Sequence, residues 1–260
     1  MYRFDYHMHS RHSFDAQYSP REMAESAARA GLSEICFTEH VDFDWHGEPP
    51  CMLDYFEEVR RLMPAYRGVR IRIGVEIGLK DEQSAREAWD FLKDYELDFV
   101  IGSVHFVDGV DAYYPEFYSG LTQKEAYRKY VGALKAVAES CPYFNVLGHY
   151  DFVAKYAPYP NRALEYCDFQ DEFDSVLSHL IQSGRGLEIN TSAWRQEPAW
   201  GLALFKRYAR LGGLFVTTGA DAHAPDKVGN RINEAVELAR SAGVPYIATF
   251  EKMKPIFHKL

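Results

Sequence analysis

The sequence predicts an α/β fold whose parallel sheet closes into a barrel. Short runs rich in β-formers alternate with longer runs patterned as helices along the whole chain, which is the signature of repeated βα units. Seven or eight such short runs can be counted, enough for a closed sheet. Nearly every one ends in a His, Asp or Glu, and in a parallel barrel those C-terminal edges lie on one rim.

In chain order, strands are expected at Arg3–Tyr6, Glu34–Phe37, Val69–Val75, Phe99–Ser103, Phe144–Leu147, Gly186–Ile189, Leu214–Thr218 and Tyr246–Thr249. Ser19-Pro20-Arg21-Glu22 opens the first helix with a serine cap, a proline at the first position and an acidic first turn. That helix should run to Ala30 and stop at Gly31. Further helices are expected at Leu53–Tyr66, Gln83–Lys93, Thr122–Glu139, Cys167–Ser183, Ala199–Leu211 and Asn233–Ala242, several stopped by a glycine such as Gly184, Gly212 or Gly243. Asp42–Met52 and Asp108–Gly120 are irregular and long for βα loops, which marks them as rims of a site. With no linker and no repeat of fixed period, residues 1–260 read as one domain.

Composition narrows the function. A net charge of −9 argues against DNA or RNA as a partner, although small anions can still be bound by local cations. The four cysteines, Cys36, Cys51, Cys141 and Cys167, form no CxxC pair and read as reduced thiols. The start, MYRFDYHMHS, has no basic leader and no apolar core of a signal, and no apolar run reaches membrane-span length, so a cytoplasmic protein is expected. Oligomeric state is not readable. There is no GxSxG elbow, Cys-centred signature or GxxxxGK loop, which disfavours a serine or cysteine nucleophile.

The strand-end residues are His7 and His9, Glu39 and His40, Glu76, His105, His149 and Asp151, Glu188, and Asp221 with His223. Six of the ten histidines thus fall at strand ends, and a polynuclear metal site follows. In His7-Met8-His9 the imidazoles are at i and i+2, so on an extended chain they face one side and can chelate one ion. Asp221-Ala222-His223 is expected to repeat that geometry with a carboxylate. Glu76 can bridge two ions through its two oxygens. Nitrogen and oxygen donors without thiolates suit Zn, Mn or Fe. Glu39, Glu188 and Asp151 can be ligands or orienters of ligands. His12, His46, His179 and His258 fall in expected loops or helices and read as surface residues.

These motifs resemble a known family. From DYHMHSRHSFDA through FTEHVDFD, IGVEIGL, FVIGSVHFVDG, VLGHYDFVAKY and LEINTSAWR to TTGADAHAPDKVG, nearly the full length is similar to the polymerase-and-histidinol-phosphatase (PHP) metal-dependent phosphoesterases. GSVHFVDG and LEINTSAWR point to the histidinol-phosphate phosphatase branch. The resemblance implies a distorted (β/α)7 barrel with two or three divalent ions. It implies one ion on His7, His9, Glu76 and Asp221, a second on Glu76, His105 and His149, and a third on Asp15, His40 and His223. Many relatives carry a histidine where Asp15 stands; an aspartate still offers an oxygen. Arg195 matches an arginine the family uses for the substrate phosphate. Lys155 stands where relatives often carry arginine and supplies charge without the bidentate fork, and Arg162 is a further basic candidate nearby.

The implied reaction is hydrolysis of a small phosphomonoester, L-histidinol phosphate first, in histidine biosynthesis. A metal-bridging hydroxide would attack phosphorus while a third ion and Arg195, with Lys155, hold the other oxygens. Asp221, His223 and Arg195 are the residues expected at the chemical step, with His223 or a bound water protonating the leaving oxygen. The rivals are a PHP phosphatase for a nucleotide or sugar phosphate, a metal-dependent amidohydrolase and a non-catalytic metal-binding domain. The amidohydrolases share the HxH start and late Asp but usually rely on a carbamylated lysine, and no lysine stands where Glu76 does.

Overall fold

The computed structural model describes residues 3–43, 51–192 and 201–260. In chain order its elements are β1 (Phe4–Asp5), α1 (Pro20–Arg29), β2 (Glu34–Val41), α2 (Met52–Leu62), β3 (Arg70–Gly78), α3 (Glu82–Leu92), β4 (Phe99–Ser103), β5 (Phe106–Val107), β6 (Val110–Asp111), α4 (Gln123–Ser140), β7 (Val146–Leu147), α5 (Phe152–Tyr156), α6 (Gln170–Gln182), β8 (Gly186–Asn190), α7 (Leu202–Arg210), β9 (Phe215–Gly219), α8 (Ile232–Ala242), β10 (Tyr246–Glu251) and β11 (Lys254–Lys259). The main sheet has the order β1-β2-β3-β4-β7-β8-β9-β10-β11. Each pairing from β1 to β10 is parallel. A parallel sheet with helices between its strands is covered on both faces, and β2 shows the result: every residue of Glu34–Val41 is buried.

Backbone bonds join the two ends of the parallel run. Tyr6 N donates to Thr218 O at 2.9 Å, and His9 N to Ala222 O at 2.9 Å. Met8 bridges Ala222 in parallel, and the Thr218 hydroxyl donates to Phe4 O at 2.7 Å. β1 therefore lies between β2 and β9, and seven parallel strands, β1 to β4 and β7 to β9, close as the (β/α)7 pattern requires. β10 meets β9 only over Tyr246 and Ile247, then crosses the end where the strands begin. There the Tyr6 hydroxyl takes the N–H of Phe250 at 2.9 Å and donates to Glu34 at 2.6 Å. The Phe250 ring packs on Phe99, 4.8 Å between centroids, and on Phe215. One end is thus plugged by aromatic rings, which leaves the strands' C-terminal ends for chemistry.

Several elements differ from the sequence-based expectation. The stretch Asp108–Gly120 is not wholly irregular: Asp108 and Gly109, both with positive φ, turn the β5–β6 hairpin just before it settles into a loop. The helix expected at Leu53–Tyr66 ends at Leu62 and tightens into a 3-10 turn, Met63–Ala65, because Pro64 has no N–H to continue it. α5 and β11 were not anticipated, and β11 places His258 in a strand, its Nε2 2.8 Å from the Thr249 hydroxyl, rather than in a loop or helix. The expected rim Asp42–Met52 is described only at its two ends, and His46 lies outside the described residues.

Candidate active site

β1 delivers His7 and His9, β2 delivers His40, β3 delivers Glu76, and the turns after β4, β7 and β9 deliver His105, His149, and Asp221 with His223. Extended chain at β1 sends Met8 one way, into the core, and both histidines the other. His7 Nε2 lies 3.2 Å from Glu76 Oε2 and 3.6 Å from Asp221 Oδ1, and His9 Nε2 lies 3.5 Å from both. On the other oxygen of Glu76, His149 Nε2 stands at 2.8 Å and His105 Nε2 at 3.5 Å. Toward the mouth, Asp15 Oδ2 is 3.0 Å from His223 Nε2 and 3.4 Å from His40 Nε2, while His40 Nδ1 approaches Glu76 at 3.1 Å. His9 is sandwiched between the His40 and His223 rings at 4.2 and 4.3 Å.

Glu76 is the hub. Burial would raise its carboxyl, but His7 and His40, with hydrogen bonds from His105 and His149, hold it well below the usual carboxylate range. Burial disfavours the imidazolium of His7 and His40, yet the facing carboxylates raise both, and His105 rises to about 10 beside Asp42 and Glu76. His9 goes the other way, to about 3, pushed down by burial and by His40 and His223 stacked against it. Four carboxylates, Asp15, Asp42, Glu76 and Asp221, are thus crowded against the rings at this rim.

Outer partners set which nitrogen of the His7 and His223 rings faces inward. Glu188 Oε1 takes His7 Nδ1 at 2.7 Å, and its other oxygen takes the His149 backbone N–H at 2.8 Å. Gly219 makes this possible, since a Cβ there would stand 2.3 Å from Glu188 Oε1 and 2.4 Å from His7 Cβ. His223 Nδ1 donates to the Asp221 carbonyl at 3.0 Å. Asp221 has φ of 51°, so the chain turns there instead of running extended, and the parallel with His7-Met8-His9 does not hold in backbone geometry. The carboxylate and the imidazole still come within 3.6 Å.

Would this donor set fit divalent ions? Three buried atoms, His7 Nε2, His9 Nε2 and Glu76 Oε2, converge without a hydrogen bond among them. Such atoms are costly to bury unless something positive sits between them. Groups of three donors within 4.8 Å of one another include His7–His9–Glu76, Glu76–His105–His149, His9–His40–His223 and His7–His149–Asp221. The residues fit hard-to-borderline ions bound by nitrogen and oxygen.

Sequence reasoning missed Asp42. Its Oδ2 takes His105 Nδ1 at 3.2 Å and lies 3.7 Å from His40 Nδ1, so it steers two of the rings. The signal was present in FTEHVDFD, where Asp42 stands two residues after His40 as His9 does after His7. Glu39 is held by Ser10 and Ser13. Asp151 caps α5 and makes no side-chain cap bond; burial raises it to about 6. Lys155, on α5, reaches the rim: its Nζ donates to Ser192 Oγ at 3.0 Å and to Asp221 Oδ2 at 3.3 Å. Arg162 is exposed and its guanidinium donates to the Lys155 carbonyl at 3.4 Å. Arg195 lies outside the described residues.

Comparison with known proteins decides the family. Residues 5–192 match the PHP domain model. The chain belongs to the PHP domain family. The chain is 34% identical over 261 residues to the histidinol-phosphatase of Lactococcus lactis, covering 98% of this chain and 96% of that protein. It is 30% identical over 260 residues to a probable histidinol-phosphatase of Clostridium acetobutylicum, with 98% and 96% covered. The crystal structure of the Lactococcus lactis histidinol phosphate phosphatase, complexed with zinc, L-histidinol and phosphate, superposes on this chain with a TM-score of 0.90 at 33% identity, covering 98% of each chain. No helix among the described residues is long and apolar enough to cross a membrane.

Proposed function

We propose that this protein is a metal-dependent phosphomonoesterase that hydrolyses L-histidinol phosphate to L-histidinol and phosphate, acting in the cytoplasm in histidine biosynthesis. The observation that carries the reading is the convergence of six imidazoles and three carboxylates on one rim, in a chain that matches over nearly its whole length a protein crystallised with zinc, L-histidinol and phosphate. Two or three divalent ions, Zn, Mn or Fe, would be held by His7, His9, Glu76 and Asp221, by Glu76, His105 and His149, and by Asp15, His40 and His223. When bound, such ions supply hydroxide at neutral pH and cancel charge on the phosphoryl oxygens.

The chain's own residues do the rest. Arg195 is the proposed anchor of the substrate phosphate, where a guanidinium can take two oxygens at once. Lys155 adds positive charge, and because Asp221 and burial compete over it, with Asp221 prevailing, it stays charged next to the rim. Its bond to Asp221 Oδ2 leaves Oδ1 turned toward His7 and His9. His223 sits at the more open side of the cluster beside Asp15; its Nδ1 proton is committed to the Asp221 carbonyl, so with Nε2 on an ion the proton for the leaving oxygen would come from a bound water. The exposed rings of Phe14, stacked on His40, and Tyr113, packed on Tyr156, offer faces for the substrate's imidazole and ammonium.

Elemental analysis of the purified protein beside phosphate release from a panel of esters tests this. We expect bound metal and a clear preference for histidinol phosphate; equal rates on sugar phosphates, nucleotides and a generic ester would reject the substrate assignment. His9→Ala and Glu76→Ala should each lose metal and activity together.

A further inference from the structure

Ser13 stands in the loop after β1, 3% exposed, and is bonded to two of the histidine-bearing segments at once. Its hydroxyl oxygen lies 3.1 Å from His9 Nδ1, 3.0 Å from the backbone N of His40 and 2.6 Å from Glu39 Oε2. A hydroxyl has one proton to give and two lone pairs to receive with. The His40 N–H can only donate, so it occupies one lone pair. Glu39 is fully buried and ringed by donors, with Ser10 N 3.1 and 3.0 Å from its two oxygens and the Ser10 hydroxyl at 2.6 Å from Oε1, a surrounding that matches a carboxylate receiving on both oxygens. The Ser13 proton therefore goes to Glu39. One lone pair is left, and His9 Nδ1 satisfies it only as N–H. His9 Nε2 is then the bare nitrogen, and it is the one that faces Glu76 Oε2 and Asp221 Oδ1.

We infer that Ser13 and Glu39 form a positioning pair: Glu39 sets the direction of the hydrogen-bond chain, and Ser13 thereby fixes the tautomer of His9 while pinning the backbone that carries His40. The two belong to different metal sets, so one buried hydroxyl couples the assembly of both. Neither Ser13 nor Glu39 touches the substrate or an ion; they act through the two histidines. The coupling to metal rests on the phosphatase reading above, whereas the tautomer stands on hydrogen-bond counting alone.

Two measurements test it. Nitrogen-15 spectra of the histidine rings in the metal-free wild type should place the His9 proton on Nδ1, and in Ser13→Ala the ring should lose that preference. Dialysis against a competing chelator followed by elemental analysis should show Ser13→Ala releasing the ions of the His9 and His40 sets at about 10- to 100-fold lower chelator, with the ion shared by His105 and His149 retained. The metal-free Ser13→Ala protein should unfold somewhat below the wild type, since Glu39 and the His40 N–H lose a buried partner; loss of the His9 and His40 ions with the His105–His149 ion kept separates positioning from that general cost. A His9 proton on Nε2 in the wild type overturns the inference, as does wild-type metal retention in Ser13→Ala. If the variant does not fold, the wild-type spectrum still decides. A wild type that binds no metal sinks the phosphatase reading instead, and leaves the tautomer assignment to its own spectrum.

Discussion

Glu188 acts on the rim through two histidines, and its side chain is the place where a small change should have a large effect. It holds His7 Nδ1 at 2.7 Å, the His149 backbone N–H at 2.8 Å and the Asn190 amide at 3.2 Å, all buried. Glu188→Ala removes the acceptor that turns His7 Nε2 inward and leaves two buried donors unmet. Metal affinity should fall by about 10- to 100-fold, as is usual when an outer partner of a ligating histidine is lost. Competition with a chromophoric chelator measures this, and an unchanged affinity would show that Glu188 is only a wall. Arg195→Ala should behave oppositely, keeping its metal and raising KM for histidinol phosphate; unaltered kinetics would assign the phosphate to another cation, with Lys155 as the next to replace.

At the scale of elements, the β10–β11 hairpin carries visible strain. Its two turn residues, Lys252 and Met253, both have positive φ, at 50° and 64°, a conformation that suits Asn-Gly and costs an ordinary side chain about 1 kcal/mol. Lys252 is exposed, so Lys252→Asn should relax the turn without disturbing packing and raise stability by about 0.5 to 1 kcal/mol, read from the denaturant midpoint. No gain would mean the lysine earns its place by contacts elsewhere. The same turn explains why β11 was illegible in the sequence: Lys-Met is not a hairpin signal, and Pro255 with Lys254 and Lys259 reads as an exposed tail. The barrel strands were legible as short stretches rich in β-branched and aromatic residues, Ile35 and Phe37 in β2 and Ile71, Ile73 and Val75 in β3, and α1 and α4 because capping pairs Ser19–Glu22 and Thr122–Glu125 mark where they begin. Of the site, the inward-facing histidines and acids were legible from their place at strand ends. Asp42 left only a spacing signal, two residues after His40, and Ser13 left none, since its importance lies in which ring nitrogen it touches, and that depends on how the turn after β1 folds against β2.

The molecule as a whole is fastened differently at its two ends. Where the strands begin, covalently continuous chain does the work: β10 and β11 cross the barrel, with Phe250 plugging it and Asp98 taking the Lys252 N–H at 3.0 Å. Where the strands end, the parts drawn together are negative carboxylates and imidazoles from six separate segments, and among the described residues no disulfide ties them. Ions bound there would cross-link β1, β2, β3 and the turns after β4, β7 and β9. Binding to the folded state alone stabilises it by about 2.7 kcal/mol for one site when free metal is 100 times its Kd. For a chain of this size that corresponds to a rise of about 5 to 10 °C in Tm. Chelation should therefore lower Tm by at least that much, and zinc should restore it in a concentration-dependent way, whereas calcium, which prefers all-oxygen cages, should not. Differential scanning calorimetry on the chelated, zinc-loaded and calcium-treated protein makes the measurement. If all three unfold at one temperature, the rim holds itself together through protonated imidazoles alone, and the convergence of its side chains has no ion behind it.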